Sequence, residues 1–154
     1  MATVTVRVEG LRELERALSE LPKSTGKAVL RRTLLKAGKP IADAARSMAP
    51  DDPKTGGNDL RSSIGVGTQL SPRQKKLHRK MFKNDKATAE AFAGAGPVLH
   101  AHLQEFGTVN HGPQSFMRPA WDSQKGKALD IIKTEMWTEI EKAAKRLAKK
   151  ASKG

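Results

Sequence analysis

From Pro119 to about Lys150, the residues Leu129, Ile132, Met136, Ile140, Ala143 and Leu147 recur at intervals of three or four. That spacing draws an apolar stripe along one long helix. A helix of this kind cannot leave its stripe in water, so the chain must supply another long element to cover it. Thr25 to Met48 offers one, with Leu30, Leu34, Ala37, Ile41, Ala45 and Met48 in the same rhythm. Gly38 and Pro40 lie inside it. A proline there removes a backbone donor and crowds the preceding turn, which predicts a kink near Ala37–Lys39. Leu11, Leu14, Leu18 and Leu21 mark a shorter helical face that Pro22 ends.

Strand signals surround these helices. Val4, Val6 and Val8 alternate within Thr3–Val8, and Ile64, Val66, Thr68 and Leu70 alternate within Ser62–Leu70. Ala89, Ala91, Ala93 and Ala95 do so within Thr88–Gly96. Ala49–Asn58 is a loop by its density of turn residues. Ser71-Pro72 reads as a helix cap followed by proline at the first helical position. Val98–Phe106 is expected as a short helix closed by Gly107, and Thr108–Pro119 as the loop into the last helix. The expected fold is α+β: a small antiparallel sheet packed by long N-terminal and C-terminal helices. Residues 1–150 form one domain, with an exposed basic hairpin excursion at about 70–87 and a frayed tail at 151–154.

A chain of 154 residues is one ordinary domain. It holds 29 Lys and Arg against 16 Asp and Glu, a net charge of +13, which favours acidic partners. With no Cys, disulfides, thiolate zinc sites and cysteine nucleophiles are excluded. No run of about 18 apolar residues exists, so neither a membrane span nor a membrane partner is expected. Met1–Gly10 lacks the pattern of a secretory signal. Tyr is absent, Phe numbers 4 and Trp 2, too few for a reader that stacks bases on aromatics.

Few residues invite chemistry. His100, His102, Glu105 and His111 lie close in sequence, but His-x-His places its imidazoles on different faces of a helix. Asp51, Asp52 and Asp59 flank a loop, where Asp bonds its own backbone. Gly94-Ala95-Gly96 lacks the Lys-Ser or Lys-Thr ending of a phosphate loop. No nucleophile elbow or zincin helix is found. No catalytic site, metal or cofactor is expected, and the chain is not read as an enzyme. Arg73, Lys75, Lys76, Arg79, Lys80, Lys83 and Lys86 meet a single acid, Asp85, and could draw DNA or a neighbouring subunit without sequence preference.

Two segments carry a resemblance. His102-Leu103-Gln104-Glu105-Phe106-Gly107-Thr108, followed by Ser115-Phe116-Met117-Arg118-Pro119-Ala120, resembles a signature of phage head–tail joining proteins of the "gene product ten" type. Ala49-Pro50-Asp51, Thr55-Gly56 and Leu60-Arg61-Ser62-Ser63-Ile64 are similar to a second segment of that family. The departures are Leu99-His100-Ala101-His102 where an aromatic is common, Ser115 in place of Pro, and extra residues in the Thr-Gly loop.

The resemblance implies a structural virion protein, assembled in the host cytoplasm into a ring, expected as a hexamer, at the head–tail junction. Neck and tail-terminator positions both stay open. Its partners would be itself, the head connector or head-closure protein, the tail tube protein, and double-stranded DNA passing through the lumen. Glu105, Phe106, Gly107, Thr108, Phe116, Arg118 and Pro119 would be its assembly signature. Within that signature Phe106 is expected as an apolar anchor, and Gly107 as a left-handed turn. Glu105 is expected to pair with the Arg118 guanidinium, and Pro119 to start the last helix. The alternative is a small basic nucleic-acid-binding protein, which oligomeric state would distinguish.

Overall fold

A computed structural model describes residues 11–50, 60–83, 89–96 and 101–154. The expected strand Thr3–Val8, the loop bearing Asp51, Asp52 and Asp59, residues 84–88 and Val98–His100 lie outside the described residues.

Two helices dominate. α1 (Leu11–Ser19) leads into α2 (Lys23–Met48). A short α3 (Leu60–Ser63) precedes β1 (Gly65–Gly67), and α4 (Pro72–Met81) separates β1 from β2 (Phe92–Gly94). α5 (Ala101–Phe106) turns into α6 (Met117–Ser152), whose 36 residues span about 54 Å at 1.5 Å per residue. The fold is α+β, as its alternation of patterns predicts.

α2 and α6 run antiparallel along one another, and their shared core falls into three clusters. Leu14, Val29, Met136, Ile140 and Ala143 join α1, α2 and α6 at one end. Ala37, Ile41 and Ala128 fill the middle. Ala42, Ala45, Leu60, Ile64, Phe116 and Ala120 close the other end.

On α2 the buried line is Gly26, Val29, Thr33, Ala37, Ile41 and Ala45. Ala37, Ile41 and Ala45 of the expected stripe are buried; Leu30 and Leu34 flank the line half-buried, and Met48 is exposed, so the stripe departs from expectation at its two ends. Thr33 is fully buried without an orphan hydroxyl, because it donates to the Val29 carbonyl at 2.9 Å. Pro40 lies within α2 without ending it.

One buried charge crosses this interface. Glu139 on α6 is 4% exposed. Its Oε2 accepts from Arg32 Nε at 2.7 Å and its Oε1 from Lys36 Nζ at 3.2 Å. Lys36 also reaches Glu135 Oε2 at 2.9 Å. The Arg32 hydrogen bond lowers the Glu139 pKa; burial opposes it, and Lys36 adds to it. Lys36 is raised by Glu135 first and Glu139 second.

The sheet is two strands, paired antiparallel with Val66 opposite Ala93. It is shorter than Ser62–Leu70 predicts, because Ser62 and Ser63 belong to the helical turn α3. That turn is tied down on both sides: Arg46 Nε donates to the Ile64 carbonyl at 2.9 Å, and Gly96 N–H to the Ser63 carbonyl at 3.0 Å. The sheet sits on α2 at Gly38, where a Cβ would lie 2.8 Å from Val66 Cγ1. Glycine inside this helix has a packing reason.

α4 begins at the Ser-Pro pair. The Ser71 hydroxyl accepts from Gln74 N–H and the Gln74 side chain answers the Ser71 N–H, a closed capping box. None of its residues is buried. His78 pins it to the sheet, edge-on to Phe92 at 5.3 Å between ring centres, with Nε2 3.7 Å from Glu90.

α6 also departs from its predicted bounds. It starts at Met117 with Phe116 as its cap, so Pro119 falls inside the first turn rather than opening the helix. Proline costs nothing there, because first-turn N–H groups have no partner within the helix. α6 continues to Ser152, so Ala151 and Ser152, expected to fray, are helical. Along it Met136 and Ile140 are buried, and Leu129 and Ile132 are half-buried, in keeping with the stripe.

Candidate functional site

The signature residues form the joint between α5 and α6. Gly107 closes α5 with φ of +77°, and its N–H donates to the Leu103 carbonyl at 2.8 Å. A Cβ there would sit 2.8 Å from Pro113 N and 2.9 Å from the His111 carbonyl, so both conformation and space require glycine. Thr108 and His111 then bridge, with Thr108 N–H donating to the His111 carbonyl at 2.8 Å. The returning chain is stitched to α5: Gln114 N–H donates to the Gln104 carbonyl at 2.7 Å, and Ser115 Oγ to the Glu105 carbonyl at 2.8 Å.

Glu105 finishes the joint, though not through the expected ion pair. Its Oε2 accepts from the backbone N–H groups of Phe116 at 2.8 Å and Met117 at 3.0 Å, and its Oε1 from that of Arg118 at 3.1 Å. A carboxylate eleven to thirteen residues upstream thus caps the long helix. It satisfies three donors that the helix leaves open and meets the positive end of the dipole. The Arg118 guanidinium forms no ion pair among the described residues; its contribution to Glu105 is its backbone N–H and a weak coulombic pull. The reason is geometric: with α6 starting at Met117, Arg118 presents its amide to α5 while its side chain stays exposed.

Burial works to raise the Glu105 pKa, but the hydrogen bonds from Met117, Phe116 and Arg118 overcome it, and the net shift is downward. A lowered folded pKa gives stability that is present above the unfolded value of about 4.3. It is lost as pH falls through the folded value. Glu105→Ala is therefore expected to cost about 0.5–2 kcal/mol at pH 7, as cap removals do. The loss should shrink in melts at pH 3. Equal losses at both pH values would mean that Glu105 is not capping α6 as a carboxylate.

The two phenylalanines of the signature lie in opposite surroundings. Phe116 is 1% exposed, packed among Ala42, Ala45, Leu60 and Ile64. Phe106, expected as an anchor, is the last residue of α5 and is 80% exposed. Val109 beside it is fully exposed and Leu103 partly so. The joint therefore holds an apolar tip outward on a hydrogen-bonded base.

The basic residues Arg73, Lys75, Lys76, Arg79 and Lys80 come together as sequence predicts for a helix. At about 100° per residue they share roughly 160° of arc on α4. Leu77 and Met81, both exposed, occupy the other side with Gln74 and His78. Among the described residues no group of three His, Asp or Glu could hold a metal. Glu105, once grouped with His102 and His111, is committed to backbone donors.

A family profile described as a bacteriophage HK97-gp10 tail component matches residues 12–107, more than half of the chain. The chain belongs to the HK97-gp10-like family. It is a structural phage tail protein and thus a component of the virion. No curated protein and no solved structure matches the chain. The match to the HK97-gp10-like family runs from α1 to Gly107, so it includes Glu105 and Phe106; Phe116, Arg118 and Pro119 lie beyond it. Among the described residues no helix is long and apolar enough to cross a membrane.

Proposed function

We propose that the protein is a ring-forming, non-enzymatic component of the head–tail junction, six subunits around the path of the DNA. The observation that carries this reading is the joint. Glu105 fixes the start of a helix about 54 Å long, and the same turn projects Phe106 and Val109 into solvent. A chain that served only its own fold would gain nothing from an exposed aromatic on a glycine-locked turn. A closed ring needs two different contact faces on each subunit, and an exposed tip supplies one. Its ring neighbours would be further copies, and its axial partners a head connector or head-closure protein and the tail tube. The cationic arc of α4 would face passing DNA or an adjacent subunit. Neck and tail-terminator positions are both compatible with this arrangement.

The direct trial is assembly of particles in vitro. Filled heads and tails made without this protein should remain separate, and added protein should join them. Tails and heads that join equally well without it would end the proposal. A second reading, a small basic nucleic-acid-binding protein, is favoured by the one-sided cation arc on α4. It predicts a monomer or dimer with tight duplex binding that falls steeply with salt.

A further inference from the structure

We propose that the Phe106–Val109 tip of one subunit seats in the apolar groove between α2, α6 and β2 of a second copy. The inference rests on the ring reading above and names the contact that would build the ring.

The groove has a volume of about 640 Å³ and is lined by Leu34, Val66, Phe92, Trp121, Leu129 and Ile132 among others. Lys125 is its one charged lining residue among the described residues. Trp121 there is more than half exposed, a large indole that the described residues do not cover. The tip cannot be filling its own subunit's groove, since Phe106 is 80% exposed. It is also pre-organised. The Gly107 turn, the Thr108–His111 bridge and the Ser115 hydrogen bond hold it already, so docking would order little new chain.

Given the ring, charge selects which faces of two copies meet. Each subunit carries +13, so two copies repel wherever basic surface meets basic surface. Ala101–Met117 contains no Lys or Arg, in a chain where 29 of 154 residues are basic. Tip and groove are thus apolar surfaces nearly free of cations, and they are different surfaces of one chain. A contact between them is heterologous, the kind that closes into a ring when the rotation permits. An aromatic anchor entering an apolar recess is the usual centre of such an interface.

The cysteine-free chain makes the test direct. Two single-cysteine variants, Val109→Cys and Leu129→Cys, one lengthened by a tag, are mixed, assembled on tails and oxidised. The expected product is the mixed disulfide, in excess over either homodimer, since only a docked tip brings the two sulfurs within bonding reach. Adding Phe106→Asp to the Val109→Cys chain should cut that product and ring yield at least tenfold while leaving the melting midpoint unchanged. Rings that form without the mixed disulfide, with Leu129→Cys still open to thiol reagent, would overturn the tip-in-groove contact and leave the ring standing. Protection of Leu129→Cys by tail tube protein alone would overturn it too, naming a different occupant. A mixed disulfide confined to closed dimers would support the contact and contradict the ring. A monomer under every condition, with no mixed disulfide, would end both.

Discussion

Phe116→Ala is expected to destabilise the subunit by about 3–5 kcal/mol, the usual range for removing a buried aromatic ring. At this chain length that is a fall in melting midpoint of roughly 10 °C. Phe116 is 1% exposed and is the last residue before α6. Its ring joins the start of α6 to Ala42 and Ala45 of α2 and to Leu60 and Ile64 around α3. The cavity left behind would be walled by alanines on α2 and α6, which have no side chain to swing into it, and by Leu60 and Ile64, which are already buried in the same cluster. Phe106→Ala is the control. It removes the same group from an 80% exposed position and should barely move the midpoint. Thermal melts of the two variants decide the matter, and equal midpoints would contradict the arrangement of the joint.

Arg32→Met and Glu139→Met should differ although they break the same ion pair. Glu139 is buried, whereas Arg32 and Lys36 are each close to half exposed. Removing Arg32 strips a buried carboxylate of its 2.7 Å partner and leaves it only Lys36. Loss of a hydrogen bond to a charged group costs about 1.5–3 kcal/mol. Removing Glu139 instead frees two cations that can turn to water, and methionine fills the space, so that change should be close to neutral. The pH dependence follows from the lowered Glu139 pKa. The stability the pair contributes is present above about pH 4.3, the ordinary glutamate value, and is lost as pH falls through the folded value. The Arg32→Met penalty should accordingly fade in acid. Denaturant titrations at pH 7 and pH 3 measure both effects; a Glu139→Met loss as large as that of Arg32→Met would show that the pair itself, rather than the buried carboxylate, sets the cost.

The long helices were legible because each carries its own period, which needs no partner to be seen. The Ser71-Pro72 cap of α4 and the glycine that closes α5 were legible for the same reason, since both act within a few residues. Pairing across the fold was not. Arg32 and Glu139 stand 107 residues apart, and nothing local marks Glu139 as the buried acid among several along α6. At the start of α2 the leucines suggest a face through Leu30 and Leu34, while the buried positions there are Val29, packed with Met136 and Ile140 of α6, and Thr33, whose hydroxyl is satisfied within the helix.

Glu105 teaches a finer point about the joint. An acid before a glycine turn and an arginine after it invite an ion pair. The start of a long helix offers three open N–H groups nearer still, and these win. The signal was present in the sequence as Glu105 ahead of a helix with no Ser, Thr, Asp or Asn at its cap position, Phe116. Phe106 differs for a related reason: an apolar residue beside a helix-ending glycine commonly packs inward, and only the way α5 lies on the rest of the fold shows that this one does not.

The ring is tested most directly by negative-stain imaging of the purified protein, alone and after incubation with tails lacking it. The account predicts closed rings of uniform diameter, present on the tail end that meets the head and absent from tails not given the protein. Single subunits or dimers in both samples, with bare tail ends, would contradict it.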